Sequence, residues 1–135
     1  MLDNIFGKVN MLQKGLDAAW TRNEVISNNI ANVDTPGYKS QSVAFEAEMK
    51  RALESDGNGF SAKTTRPEHY KFASNSPEQV SPTVLENNET SYRADGNNVD
   101  IDYENTELAK NTLWYNTLVE QMSSEFSKLK TVING

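Results

Sequence analysis

The fold of this chain depends on the stretch Asn28-Asn29-Ile30-Ala31-Asn32-Val33-Asp34-Thr35-Pro36-Gly37-Tyr38-Lys39. Pro36 has no backbone N–H and a fixed φ, so a helix that arrives from the N-terminal side cannot continue through it. Gly37 can adopt the positive φ that the third residue of a type II turn requires, with Thr35 as the first residue of that turn. The stretch therefore predicts that a long helix ends near Asp34 and that the chain then turns sharply.

The asparagines of this stretch allow two interpretations. Asn28, Asn29 and Asn32 fall in the last turns of the predicted helix, where asparagine is a mediocre helix former. They could mark a solvated helix end. Alternatively, their amides, which both donate and accept, could bond to a packed neighbour.

Outward from the stretch, the N-terminal segment from about Asp3 to Asp34 has apolar residues at alternating spacings of three and four. These residues are Leu2, Ile5, Val9, Leu12, Leu16, Ala19, Ile26, Ile30 and Val33, with Asn23 as a polar member of the seam. Such spacing over four heptads is typical of a coiled coil, and Asn23 would fix its register. An amphipathic helix on a compact core is the alternative, but a helix of about 45 Å favours an elongated arrangement.

The rest of the chain predicts two further helices separated by an irregular region. Residues 41–54 have the pattern of a short helix, and residues 60–98 are rich in Pro, Ser, Thr and Asn. The irregular region allows short extended pieces near 61–65, 70–73 and 89–93, which could form one small hairpin. A last helix is predicted from after Asp100 to about Asn134. Its apolar stripe includes a seven-residue repeat, namely Ile101, Leu108, Tyr115, Met122 and Leu129.

These elements predict a mainly α fold in which the long N- and C-terminal helices pack together as a coiled-coil-like pair. A short helix and a poorly ordered insert, with one small β-hairpin at most, lie between them. We divide the chain into an N-terminal helix (1–35), a variable middle insert (36–98) and a C-terminal helix (99–135).

Composition excludes several classes of function. The formal net charge of −6 argues against nucleic-acid binding, and the absence of cysteine excludes disulfides and thiolate sites. His69 is the sole histidine, so no triad or His-based metal site can be built, and we predict no catalytic, cofactor or metal site. The acidic run from Asp95 to Glu104 departs from the EF-hand ligand order at its fifth and sixth positions, so a turn followed by a helix N-cap is favoured over calcium binding.

The stretch 28–39 resembles the signature of bacterial flagellar axial proteins. Its distance from the N-terminus, the start Met1-Leu2-Asp3 and the lead-in Asp95-Gly96-Asn97-Asn98-Val99-Asp100 resemble, within that group, the proximal rod proteins of the basal body. This resemblance covers roughly the first and last 40 residues. It implies a structural rod subunit that self-assembles through its terminal helices into a tubular drive shaft for motility. A soluble helical adaptor or export chaperone is the alternative.

The resemblance also implies partners and a location. The partners would be other copies, other rod subunits, the membrane-ring protein, the rod–ring adaptor and the export gate, with no nucleic acid or small-molecule substrate. The rod spans the periplasm, and its subunits are exported without a cleaved signal peptide. Expected interface residues are Asn28, Asn29, Asn32, Thr35, Pro36, Gly37, Tyr38, Leu108, Tyr115, Met122 and Leu129. Phe45 and Met49 form a candidate export-gate motif, and plain packing is the favoured alternative for this pair.

Overall fold

Two long helices dominate the structure, which is a computed structural model describing residues 2–56, 77–88 and 94–134. Helix α1 spans Leu2–Ala31 and helix α3 spans Ile101–Asn134. Between them lie strand β1 (Gln41–Ala44), helix α2 (Glu46–Asp56), a 3₁₀ turn (Pro77–Gln79) and strand β2 (Thr83–Glu86). This arrangement confirms the predicted fold class, including the packed pair of terminal helices.

Helices α1 and α3 run antiparallel, as three contacts along the pair show. The Asn29 side chain donates to Glu104, and the Asn111 side chain donates to the Ala19 carbonyl. Near the middle of both helices, a Cβ on Gly15 would lie 3.3 Å from Leu118, so glycine allows a close approach there. Along the pair, residue numbers therefore increase in opposite directions in the two helices.

The polar residue that meets the partner helix is not the one that the sequence predicts. Asn23 lies in the predicted seam of α1, but it is exposed. Asn111 of α3 is buried instead, and its amide bonds to the backbone of α1. A polar contact of this kind fixes the register of a helix pair. Asn111 was overlooked because it is a polar residue within the apolar stripe, three positions after Leu108 and four before Tyr115.

Residues 41–44 form a strand, so the prediction of a helix beginning at residue 41 is wrong. Gln41–Ala44 pairs antiparallel with Thr83–Glu86, and Val43 lies opposite Val84. Cross-strand pairs of β-branched side chains stabilise such a ribbon. The partner strand is about 40 residues away in the chain, so local periodicity could not indicate it. The helix itself begins at Glu46.

The described part of the insert packs against α1 through a small apolar cluster. It consists of Ala18, Phe45, Met49, Ala52 and Val80, all of them buried. Burial of such side chains fixes the insert on one side of the helix pair. His69 and the predicted extended pieces at 61–65, 70–73 and 89–93 lie outside the described residues.

Candidate functional site: the asparagine clasp and the faces of the helix pair

The turn after α1 has the predicted geometry. The Tyr38 amide donates to the Thr35 carbonyl at 3.3 Å, and Gly37 has a φ of +72°. The Gly37 amide also donates to the Asp95 carbonyl at 3.0 Å, and Gly96 has a φ of +83°. The two glycine turns face one another, because a Cβ on Gly96 would lie 3.7 Å from the Gly37 Cα. The turn therefore joins the end of α1 to the lead-in of α3.

We expect Gly37→Ala to lower the free energy of unfolding by about 1–2 kcal/mol. No atom lies within 4 Å of the added Cβ, so the loss reflects the left-handed backbone alone. The matched control is Gly7→Ala in α1, where open space and helical backbone predict a gain of roughly 0.5–1 kcal/mol. Urea unfolding of both variants measures the contrast, and equal shifts would contradict it.

Four asparagines, which we call the asparagine clasp, tie α1 to the segments before β1 and α3. They are Asn29, Asn32, Asn97 and Asn98. Asn29 is 1% exposed, and its amide donates to the Gln41 carbonyl at 2.8 Å and to Glu104 at 3.0 Å. Its oxygen accepts from the Gln41 amide at 2.9 Å and from the Tyr38 hydroxyl at 3.2 Å. The side chain thus pairs with both backbone groups of Gln41, as a neighbouring strand would.

Asn97 closes the C-terminal end of α1. It is fully buried, and its amide donates to the carbonyls of Asn32, Val33 and Thr35 at 2.8–3.0 Å. Its side-chain oxygen accepts from the Val99 amide at 2.7 Å. The last carbonyls of a helix have no partner within the helix. A residue more than 60 positions away supplies partners to the carbonyls around this helix end.

The remaining two members complete the connections. Asn98 donates to the Asn87 carbonyl and accepts from the Ser40 amide, so its side chain sits between the segments that flank β1 and β2. Asn32 donates to the Asn28 carbonyl and accepts from the Thr35 hydroxyl.

Asp100 caps helix α3, because its carboxylate accepts from the amides of residues 102 and 103. These contacts confirm the turn and N-cap interpretation of the acidic run.

Glu104 is the ionisable group buried against the clasp. Burial raises the pKa of its carboxyl above the ordinary value of 4.5, while the hydrogen bond from Asn29 lowers it. The negative charges of Glu107 and Asp100 raise it further. Its protonated form is therefore favoured in the folded chain relative to the unfolded chain.

We expect Glu104→Gln to stabilise the chain at neutral pH and to flatten its pH dependence. A raised folded pKa means that the folded chain binds more protons, so stability falls as pH rises from about 4.5 through the folded pKa. Glutamine keeps an acceptor for the Asn29 amide and removes the charge. The measurement is the difference in unfolding free energy between variant and wild type from pH 4 to 8. This difference should grow with pH and then level off, and a constant difference would contradict the prediction.

The structure places the predicted interface residues in three kinds of environment. Asn29 is buried, and its amide donors and side-chain oxygen bond to groups of its own chain. Asn28, Thr35, Pro36, Gly37 and Tyr115 are exposed, whereas Asn32, Tyr38, Leu108, Met122 and Leu129 are half-buried. An intersubunit role for these residues, Asn29 included, stays a prediction.

Phe45 and Met49 lie in the apolar cluster under α1, where both are buried. This placement is the packing that the sequence favoured. An export role for the pair stays a prediction, since it concerns the chain before this cluster forms.

Two properties of the described residues bear on function. In residues 2–56, 77–88 and 94–134, no group of three or more His, Cys, Asp or Glu is arranged to hold a metal ion. Over those same ranges, none of the helices combines the length and apolar character needed to cross a bilayer.

Comparison with known proteins decides the family. The family model described as "Flagella basal body rod protein" matches residues 10–39, which cover most of α1 and the turn after it. The flagellar basal body rod protein FlgB of Bacillus subtilis (strain 168) is 39% identical over 129 residues, covering 96% of this chain and 95% of its own. The chain belongs to the FlgB family of flagellar basal body rod proteins.

Further FlgB relatives match over nearly their whole length. The Aeromonas hydrophila protein is 35% identical over 133 residues, covering 98% of this chain and 95% of its own. The Escherichia coli (strain K12) protein is 32% identical over 144 residues, covering 100% and 99%. These matches confirm the resemblance read from residues 28–39, and membership of the FlgB family implies a structural rather than enzymatic role.

Proposed function

We propose that this chain is a structural subunit at the proximal end of the flagellar basal-body rod, and that it assembles with other copies into a tubular drive shaft. The observation that carries this proposal is the sequence similarity to FlgB proteins, which are 39% and 35% identical to this chain over nearly their full length. The terminal helices are the proposed assembly elements, and they line the inside of the tube.

The surface of the helix pair supports an assembly role. Trp20 is 65% exposed and Ile133 79% exposed, and further large apolar side chains face outward, namely Phe6, Leu113, Trp114, Val119, Phe126 and Val132. Apolar surface of this extent on two long helices is typical of interaction sites. Head-to-tail contacts that do not close into a ring generate a helical tube.

The proposed neighbours are other copies, the next rod subunits, the membrane-ring protein, the rod–ring adaptor and the export gate. On this proposal the subunit crosses the inner membrane through the flagellum's own export apparatus, without a cleaved signal peptide, and resides in the periplasmic part of the rod. The export gate would read Phe45 and Met49 before the apolar cluster forms, because both side chains are buried once it has formed.

A soluble adaptor or export chaperone is the alternative, and the FlgB matches do not favour it. An adaptor that binds a single partner helix would have to cover the exposed apolar side chains of both α1 and α3 with that one helix.

The test is fractionation of cells whose only copy of the gene encodes the wild-type chain. We expect the chain in purified basal bodies, at the rod base by electron microscopy, and loss of swimming when the gene is deleted. Recovery of the chain from the cytosol alone, with intact rods in the deletion strain, would rule out the proposal.

A further inference from the structure

The ribbon of β1 and β2 has two edges that differ in what meets them. The Asn87 amide donates to the Ser40 carbonyl at 2.9 Å, so residues 40 and 87 occupy a hydrogen-bonded position of the ladder. In an antiparallel ladder, such positions alternate with pairs whose backbone groups point away from the partner strand. The register therefore directs the backbone groups of Gln41 out of one edge and those of Val84 and Glu86 out of the other.

The β1 edge is closed at Gln41. The Asn29 amide donates to the Gln41 carbonyl at 2.8 Å, and the Asn29 oxygen accepts from the Gln41 amide at 2.9 Å. Helix α1 also packs against β1. These contacts leave no room for an added strand beside Gln41, and they agree with the direction in which the ladder points its backbone groups.

The β2 edge is open toward the described residues. All four residues of Thr83–Glu86 are exposed, including Val84 at 44% and Leu85 at 51%. The outward N–H and C=O groups of Val84 and Glu86 have no hydrogen-bond partner in the described parts of the chain. A row of unpaired backbone groups on an exposed edge is a template for a further strand. A third strand would also stabilise the ribbon, since two strands alone are marginally stable.

The chemistry of this edge defines the partner. Donors and acceptors that alternate along an edge strand are matched by the main chain of another extended segment. Side chains alternate between the two faces of a strand, so Val84 and Glu86 share one face. The favoured cross-strand neighbour of Val84 is apolar, and that of Glu86 is basic. Glu86 has no ion-pair partner among the described residues, and a Lys or Arg beside it would supply one.

The described extended segments of this chain do not provide that pattern. Outside the helices, the described residues contain one cation, Lys39. Its ammonium group donates to the Gly96 carbonyl at 2.8 Å. A second copy would therefore bring no uncommitted basic residue on an extended segment from the described ranges, which favours another protein as the partner.

We propose that the β2 edge binds an extended segment of a different basal-body protein, which adds a third strand beside Thr83–Glu86. The segment places an apolar residue beside Val84 and, two positions away, a Lys or Arg beside Glu86. Because β2 has four residues, the added strand is equally short. This inference rests on the proposed rod function and adds to it a binding surface outside the terminal helices.

The first arm of the test places a photoreactive amino acid at Leu85, in cells that carry no other copy of the gene. Irradiated basal bodies should contain a product heavier than the 15.1 kDa chain. Mass spectrometry of the crosslinked peptide should identify a sequence that this chain does not contain, with Lys or Arg two positions from an apolar residue. A product built only from this chain's sequence, or no product, would overturn the proposal.

The second arm tests the backbone contact. Val84→Pro removes an outward N–H and leaves the hydrogen bonds between β1 and β2 in place, because proline is tolerated where a strand edge has no partner. Val84→Thr is the matched control, since it keeps that N–H and a β-branched side chain. The crosslinking yield from Leu85 should fall about tenfold with Val84→Pro and stay near wild type with Val84→Thr. Equal yields from the two variants would overturn the role of the edge.

The third arm, Glu86→Lys, leaves the backbone unchanged. Its reversed charge should also lower the crosslinking yield about tenfold, because like charges directly opposite each other are unfavourable. Urea unfolding of the isolated chain should stay close to wild type, since Glu86 is exposed. An unchanged yield would overturn the basic residue of the partner. Absence of the wild-type chain from basal bodies would instead overturn the rod function itself, which is a separate result.

Discussion

Asn97→Asp is expected to lower the free energy of unfolding by roughly 3–5 kcal/mol at pH 7. The side chain is fully buried, and its amide faces the carbonyls of Asn32, Val33 and Thr35. A carboxylate there would meet these oxygens at the negative end of the α1 dipole. Urea unfolding, followed by circular dichroism at 222 nm, provides the measurement.

The pH dependence of Asn97→Asp and an exposed control separate charge burial from general damage. The loss of unfolding free energy relative to wild type should become smaller as pH falls. Burial raises the folded pKa of the introduced acid, and protonation then removes its charge. Asn28→Asp introduces the same charge on the exposed side of α1 and should change stability by about 1 kcal/mol or less. A similar loss in both variants would show that Asn97 has no special role.

Asn29→Leu is expected to destabilise the isolated subunit by roughly 3 kcal/mol or more. Leucine is the better helix former, so any loss must come from tertiary contacts. The substitution leaves Glu104 without the Asn29 donor and leaves both backbone groups of Gln41 without their side-chain partner. Chemical denaturation of the purified chain, away from any assembly, gives the measurement.

Asn32→Leu is the matched comparison, because the Asn32 amide bonds to its own helix and is half-buried. We expect its stability change to be about 1 kcal/mol or less. If Asn29→Leu were equally mild in the isolated chain but blocked rod assembly, the original hypothesis of an intersubunit amide would be correct. The described contacts favour the opposite result.

Local chemistry explains which parts of the fold the sequence could predict. Proline and glycine restrict the backbone within one or two residues, so the turn at Thr35–Tyr38 and the positive φ of Gly37 followed directly. The cap at Asp100 is equally local. The long periodic segments likewise indicated α1 and α3 and their packing as a pair.

The errors and omissions all involve partners distant in the chain. The strand at Gln41–Ala44 depends on residues 83–86, and Asn97 depends on the end of α1 more than 60 residues earlier. Asn111 and Glu104 are polar, so a search for apolar periodicity passed over them although both are buried. The residue types indicated that the asparagines of 28–39 were unusual. They could not indicate that the Asn29 side chain would bond within its own chain.

The spacing of the clasp along the chain has a consequence for the order of folding. Asn29 meets Glu104 across 75 residues, and Asn97 meets the end of α1 across more than 60. Closing loops of this length requires a large loss of chain entropy before any contact is gained, and topologies rich in such contacts fold slowly. A chain that emerges from a channel with its N-terminus first cannot complete the clasp until residue 104 is free. On the proposed export route, the native structure of this subunit could therefore form only near the end of passage.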